Sequence, residues 1–289
     1  WSNTKSEDQW INSMEAYAFP SLGSKPVGSI TAGEIITAIS KVWSEKPETG
    51  RRVKQRIRAV LNFAHARGWR STEAPTDALA AGNGLPKQKG GKHHAAMPYA
   101  ELPAFITRLR TAGGTWSRLA LEFVILTAAR SQEVRLAMWN EIDLEKGVWT
   151  VPAEHMKMRI EHVVPLSPYA LAVLHSAMAI RREGTGLIFP GVNGGAMSDM
   201  TLLGVLRRMK EATTVHGFRS SFRTWVAEET NFPGEVAEAA LAHQNRNEVE
   251  RAYQRGGLLD KRRKLMEAWG AYCVADCNSA NVVPIRQAL

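Results

Sequence analysis

The sequence predicts a mainly α-helical protein with one small β-sheet, built as two domains. Three observations predict this. Apolar residues recur at three- and four-residue spacing over most of the chain. Strand-like apolar runs are confined to one place, Val148–Pro152 and His162–Leu166. Between the halves, residues 82–97 (Gly-Asn-Gly-Leu-Pro-Lys-Gln-Lys-Gly-Gly-Lys-His-His-Ala-Ala-Met) are rich in glycine and lysine and have no apolar period. The length of 289 residues fits about two domains, and 44% hydrophobic with 22% charged residues lets each bury a core. The boundaries read as a helical domain over 1–82, a basic linker over 83–97, a second domain over 98–273 and a flexible polar tail over 274–289.

In the first domain the clearest helix lies within 51–70. Val53, Ile57, Val60, Leu61 and Ala64 form one apolar stripe, and Arg51, Arg52, Lys54, Arg56 and Arg58 occupy the other faces. No acid occurs between 51 and 70. A solvated helix face usually mixes signs, so this one suits phosphate contact. Lys87, Lys89 and Lys92 continue the charge along the linker, where it can follow a nucleic-acid backbone. In the second domain, Tyr99, Leu102, Phe105 and Leu109 predict a helix. Leu119–Leu126 predicts a buried one ending at Thr127-Ala-Ala-Arg130, with Val134, Leu136 and Trp139 continuing the apolar face. The two strands flank a polar turn, Met156-Lys157-Met158. Ser198 or Asp199 is expected to cap a helix bearing Leu202, Leu206 and Met209. Another helix carries Phe218, Phe222, Trp225 and Val226. Pro233-Gly234 breaks the chain before a segment ending at Leu241-Ala-His243. Asn247 is expected to cap a helix holding Val249 and Tyr253, and Leu265, Met266 and Trp269 mark a last amphipathic helix.

Composition narrows the function. Thirty-seven Lys and Arg against twenty-eight Asp and Glu leave a formal charge of +9, which fits a polyanionic partner. The best apolar run, Tyr169–Ile180, falls short of the ~18 residues of a bilayer span and contains His175. Trp1-Ser-Asn-Thr-Lys is no signal peptide, and without a starting Met it reads as part of a longer chain. Two cysteines, Cys273 and Cys277, cannot staple a fold of this size, so a reducing cytoplasm is the simpler setting. There is no glycine-rich phosphate cradle, and no cofactor or metal is expected.

Singly, each polar residue in the second half has an ordinary explanation. Arg130 can complement the C-terminal dipole of the helix before it. Lys157 can be a solvated turn lysine, His216 and Arg219 a surface pair on one helix face, His243 a helix-end histidine and Tyr253 an amphipathic core tyrosine. Their order is more specific. Thr-Ala-Ala-Arg130-Ser-Gln-Glu133 is followed by Met-Lys157-Met, His216-Gly-Phe-Arg219, Leu-Ala-His243 and, ten residues after that histidine, Ala-Tyr253-Gln-Arg. This series resembles the tyrosine recombinase, or phage integrase, family. His162-Val-Val-Pro-Leu and Glu235-Val-Ala-Glu-Ala-Ala-Leu-Ala-His are similar to the integrases of prophages and genomic islands. The resemblance covers nearly the whole chain, with residues 1–82 matching the family's core-binding domain.

The resemblance implies a site-specific recombinase that cleaves and rejoins DNA through a 3′-phosphotyrosine. Tyr253 is the implied nucleophile, Arg130 and Arg219 the clamp on the phosphate oxygens and Lys157 the general acid for the leaving 5′ oxygen. His216 exchanges a proton with the tyrosine oxygen, His243 donates to a phosphate oxygen and Glu133 orients its neighbours. The implied partners are double-stranded attachment sites, three further protomers in a homotetramer on DNA, and accessory DNA-bending or excisionase proteins. The implied setting is the bacterial cytoplasm, on the nucleoid. The helix around Leu265–Trp269 is expected to dock on a neighbouring protomer. The chemistry is consistent: a phenol with a pKa near 10 needs positive charge or a base nearby, and two guanidiniums suit a phosphate's oxygens. Related integrases usually carry a further N-terminal domain that binds arm-type sites, and the resemblance is compatible with such a domain preceding these residues or with a member that works without one. Two other readings are a type IB topoisomerase, which uses a similar residue set, and a DNA-binding protein without catalysis.

Overall fold

The computed structural model describes residues 4–75, 77–80, 82, 84–88, 95–243 and 258–275. The chain divides into two compact units, residues 1–93 and 94–289.

The first unit packs four helices: α1 (Thr4–Tyr17), the short α2 (Phe19–Leu22), α3 (Ala32–Glu45) and α4 (Pro47–Ala66). Helix α3 starts where Thr31 and Glu34 form a reciprocal capping box, and α4 starts at Pro47, whose fixed φ suits a first helical position. Their close approach needs Gly50, since a Cβ there would lie 2.7 Å from the Trp43 Cα. Val53, Ile57, Leu61 and Ala64 of α4 are buried against Ile35, Ile39 and Val42 of α3. Val60, expected on the same stripe, is 38% exposed, because it lies at the edge of the arc spanned by Val53, Ala64, Ile57 and Leu61.

The stretch read as a linker is anchored at both ends. Leu85 is buried in the first core, and the Trp43 indole N–H donates to the Pro86 carbonyl at 2.8 Å. Met97 is buried in the second core, and the Ala95 carbonyl accepts from Thr213 and Thr214. A single apolar residue at each end is too few to make a period, so these anchors do not show as a pattern.

The second unit surrounds a long buried helix, α6 (Trp116–Thr127), whose residues Leu119 to Thr127 are all buried. Around it lie α5 (Leu102–Thr111), α7 (Ser131–Leu136), α8 (Pro168–Ala179), α9 (Thr201–Arg208), α10 (Gly217–Glu229), α11 (Gly234–Ala240) and α12 (Leu259–Val274). The sheet is antiparallel in the order β1 (Ile142–Asp143), β2 (Val148–Val151), β3 (His162–Pro165), with Val151 paired to His162 and Val148 to Pro165. The sequence shows the second and third strands but not β1, whose two residues are too few to alternate. Helix α9 begins at Met200 without a side-chain cap, and the Ser198 hydroxyl meets Thr201 Oγ1 at 3.0 Å instead of a backbone N–H. Leu265, Met266 and Trp269, expected to reach a neighbouring protomer, are buried within their own unit. The Trp269 indole donates to the Ile125 carbonyl at 2.8 Å. Among the described residues no helix is long and apolar enough to cross a membrane.

Candidate active site

The site is organised by two helix ends. Helix α6 stops at Ala128 and α11 stops before Ala242, and both alanines have left-handed backbones, with φ of +50° and +49°. That conformation is costly for a residue with a Cβ, and here it turns the chain sharply and leaves helix carbonyls facing outward. One guanidinium fills the space between them. Arg219, projecting from the first turn of α10, donates from Nη1 to the Ala128 carbonyl at 2.6 Å and from Nη2 to the Leu241 carbonyl at 2.7 Å. A cation between two helix C-termini meets the negative ends of both dipoles. Burial first, and the charge of Arg130 after it, lower the Arg219 pKa to about 10. The guanidinium therefore remains charged at neutral pH.

Arg130 approaches the same turn from the other side. It leads into α7, where Glu133 accepts from its backbone N–H at 2.8 Å and from its Nη1 at 2.8 Å. The spacing of three residues makes this pairing a local consequence of the helix start. With Glu133 holding one edge, Nη2 of Arg130 donates to the Ala242 carbonyl at 3.4 Å.

His243 completes the cluster. Its Nε2 lies 3.1 Å from Nη2 of Arg219, and its Nδ1 lies 2.7 Å from a Glu238 oxygen. A guanidinium has no acceptor, so Nε2 must present its lone pair to Arg219, and Nδ1–H must donate to Glu238. Glu238 is also paired with Arg223. Burial acts to raise the Glu238 carboxyl, but the hydrogen bonds from His243 and Arg223 outweigh it and hold the group below its ordinary value. In this arrangement the Nε2 lone pair faces Arg219, and His243 must leave Arg219 before Nε2 can donate to anything else.

The structure thus brings together Arg130, Arg219, His243 and Glu133, although more than a hundred positions separate the first from the third. His216 stands at the N-cap position of α10, in front of the turn that carries Arg219. The start of α10 is pressed against the backbone of Ala95, so closely that a Cβ on Gly217 would lie 2.2 Å from that carbonyl oxygen. Lys157 is not among the described side chains that meet at the end of α11. It is exposed at the tip of the turn between β2 and β3, next to Met156, which is buried and anchors the turn. Tyr253, with Asn247 and Val249, lies outside the described residues.

One residue of the cluster had no assigned role in the sequence reading, Glu238. It falls inside a quoted motif, and the spacing of five between Glu238 and His243 is legible only once α11 is known to end between them. In the first unit, Arg58 and Arg52 are exposed on α4, Arg52 with Glu48 at 3.1 Å. Arg51 donates to Gln88 at 2.6 Å. Lys54 donates to the Leu79 carbonyl at 3.1 Å and lies over the Trp43 ring, and Arg56 donates to the Gln9 carbonyl at 2.8 Å and to the Ser13 hydroxyl. Lys87 is exposed, and Lys89 and Lys92 are outside the described residues.

Residues 1–81 match the family described as phage integrase central domain, and residues 96–256 match the phage integrase family. The chain belongs to the phage integrase family. Prophage integrase IntA of Escherichia coli (strain K12) is 35% identical over 287 residues, covering 96% of this chain and 67% of that protein. The integrase of Enterobacteria phage P4 is 31% identical over 280 residues, covering 90% of this chain and 63% of that protein. The chain therefore spans about two thirds of the length of these relatives. Among solved structures, a lambda integrase dimer bound to a COC′ core site is similar with a TM-score of 0.67 at 20% identity, over 88% of this chain and 89% of that one. The Tn1549 transposon integrase in complex with circular intermediate DNA gives a TM-score of 0.64 at 16% identity, over 84% and 87%. At these identities the likeness is one of fold.

Proposed function

We propose that this chain is the core-binding and cleaving part of a site-specific tyrosine recombinase that integrates and excises a mobile element. The observation that carries the reading is the meeting of Arg130, Arg219 and His243 at the end of α11. Two guanidiniums and an imidazole that share one helix end, with part of Arg130 and of His243 open to solvent, are suited to a phosphodiester.

In the reaction, the Tyr253 phenolic oxygen attacks the scissile phosphorus and the bond to the 5′ oxygen breaks. His216 takes up the phenolic proton, and Lys157, swung in on its turn, gives a proton to the leaving 5′ oxygen. The phosphate displaces some of the resting contacts of the clamp. Three of the five N–H groups of Arg219 are engaged on Ala128, Leu241 and His243 and the side chain is buried, so the phosphate reaches it by taking over part of these contacts. Once His243 releases Arg219 and is protonated at Nε2, it too can donate to the phosphate. The phosphotyrosine keeps the energy of the broken bond, so a partner strand's 5′ hydroxyl can attack it and expel the tyrosine without ATP.

The substrate is a double-stranded attachment site, which sets the working place as the bacterial cytoplasm, on the nucleoid. The lambda integrase has been seen as a tetramer bound to a Holliday junction. The same assembly is proposed for this chain, with accessory DNA-bending or excisionase proteins choosing direction. Incubation with a nicked suicide substrate bearing the attachment site tests the reading. A covalent adduct is expected from the intact chain and none from Tyr253→Phe. An equal adduct from both rejects the nucleophile. Fast relaxation of plasmids lacking the site would instead favour a topoisomerase.

A further inference from the structure

The turn that carries Lys157 springs from a fixed base. Its tip, Lys157 to Glu161, is exposed throughout. Upstream the chain is pinned. After β2 it makes one short 3-10 turn, Ala153–His155, in which the His155 N–H donates to the Pro152 carbonyl at 3.0 Å and the Met156 N–H to the Ala153 carbonyl at 3.1 Å. Met156 is buried in the core of the unit. The Arg159 N–H returns to the Met156 carbonyl at 3.1 Å, so Lys157 and Met158 are the two central residues of a turn that starts on Met156. Arg159 also donates from Nη1 to the Glu154 carbonyl at 3.1 Å.

A carboxylate holds this base to the sheet. Glu141, just before β1, has a side chain only 9% exposed. Its Oε2 accepts from the indole N–H of the buried Trp149 at 2.9 Å and from the Met138 N–H at 3.2 Å. Its Oε1 lies 3.3 Å from Nδ1 of His155. That nitrogen is buried and has no aligned hydrogen bond among the described residues, so the Glu141 carboxylate is the charge it faces. A carboxylate repels a lone pair, so the ring turns an N–H toward it. A nearly buried carboxylate is costly, and packing alone would be served as well by an apolar side chain. Its two oxygens instead join Trp149 of β2 to the residue two positions before Lys157.

We propose that Glu141 and His155 are positioning residues for Lys157, fixing the base of its turn so that the ammonium reaches the leaving 5′ oxygen. The proposal rests on Lys157 acting as the general acid in the reading above. Neither residue of the pair touches the reacting atoms, and both act through the turn.

Two measurements test it. The first compares two suicide substrates, one with the ordinary 5′ oxygen at the scissile bond and one with sulfur in its place. A thiol has a pKa of about 8.5, far below that of an alcohol, so a sulfur leaving group departs without a donated proton. His155→Phe keeps the ring volume, removes Nδ1 and leaves the Glu141 contacts to Trp149 and Met138 in place. It is expected to slow adduct formation roughly tenfold to a hundredfold on oxygen and to cleave the sulfur substrate at the wild-type rate, as Lys157→Ala should. The same split is expected of Glu141→Gln, whereas Arg130→Ala should be slow on both substrates. An equal loss on the two substrates, or no loss on oxygen, in either variant of the pair overturns the proposal. The second measurement is hydrogen exchange at the Arg159 amide, in the full chain without DNA. It is expected to run roughly tenfold faster in His155→Phe as the turn loosens, and unchanged exchange overturns the proposal. A wild-type chain that forms no adduct on either substrate defeats the phosphotyrosine reading instead, and a Lys157→Ala variant that stays slow on sulfur defeats Lys157 as the acid. The Arg159 exchange then decides the anchoring of the turn alone.

Discussion

Both units set long cationic side chains on backbone carbonyls, but to different effect. In the first unit, Lys54, Arg56 and Arg70 each reach separate carbonyls, of Leu79, of Gln9, and of Val27 and Ile30. These are isolated struts, each on its own acceptor. In the second unit, Arg219 and Arg130 come from α10 and from the start of α7, and both reach the end of α11. An isolated strut fixes a loop. Cations that converge on a single helix end concentrate positive charge, and burial together with the charge of Arg130 lowers the Arg219 pKa. Convergence on one helix end, rather than the number of charges, distinguishes the candidate site from the basic helix.

The largest expected effect follows from the clamp. Arg130→Ala should slow adduct formation by about a hundredfold to a thousandfold, since a donor aimed at developing charge is worth about 2.7–4 kcal/mol. Binding of the attachment site, followed by gel shift, should fall much less. Arg219→Ala should lose cleavage as well, but it also leaves the ends of α6 and α11 without their shared cation, so its melting temperature should drop where that of Arg130→Ala holds. If Arg130→Ala cleaves at the wild-type rate, the comparison fails at its centre.

Acid should weaken the second unit through His162. Its pKa is lowered from 6.5 to about 4 on folding, so between those values the unfolded chain binds the proton and the native chain does not. Stability from this group is complete above about pH 6.5 and is lost as pH falls towards 4, with a ceiling of about 3 kcal/mol. Denaturant melts of wild type and His162→Phe across that range should converge as the pH is lowered. Parallel curves would mean the ring is charged in the native state.

The sequence made much of this legible, for identifiable reasons. Helices α4, α6, α10 and α12 bury enough apolar residues to show a period, and the hairpin shows because Val148–Val151 and His162–Pro165 are β-branched or aromatic at most positions. What did not show depends on distance. Nothing in Thr127-Ala-Ala-Arg130 reveals that Ala128 turns left-handed, or that its carbonyl will face Arg219, because that contact forms across ninety-one positions. Nothing in Glu235-Val-Ala-Glu-Ala-Ala-Leu-Ala-His marks Glu238 as the partner of His243, because that contact depends on α11 ending between them. Leu265, Met266 and Trp269, expected to reach a neighbouring protomer, face inward because a period marks an apolar stripe without saying which surface covers it, and α5, α6, α8 and α11 pack on this helix.

Gly217 gives a smaller, sharper contrast. Gly217→Ala puts a methyl 2.2 Å from the Ala95 carbonyl oxygen, so α10 must shift at the turn carrying His216 and Arg219. A loss of about 1–3 kcal/mol is expected, as for other overpacked sites, together with slower cleavage. Gly234→Ala, at the start of α11, meets nothing within 4 Å and should leave both unchanged. Equal behaviour of the two variants would show that the start of α10 has room to move.

The smallest effect asks what the basic helix does with its charge. Arg58 is exposed on α4, whereas Arg56 is held by Gln9 and Ser13. If α4 lies on DNA, an exposed arginine releases counterions on binding, and Arg58→Gln should flatten the salt dependence of affinity by about 0.9 in log–log slope. Arg56→Gln should instead cost about 1 kcal/mol of stability by giving up a carbonyl contact, and leave the slope where it was. Measuring both properties on both variants separates a strut from a phosphate contact on the same helix. If Arg56 changes the slope and Arg58 does not, the strut must release its carbonyl on binding, and the distinction between the two units narrows to one of degree.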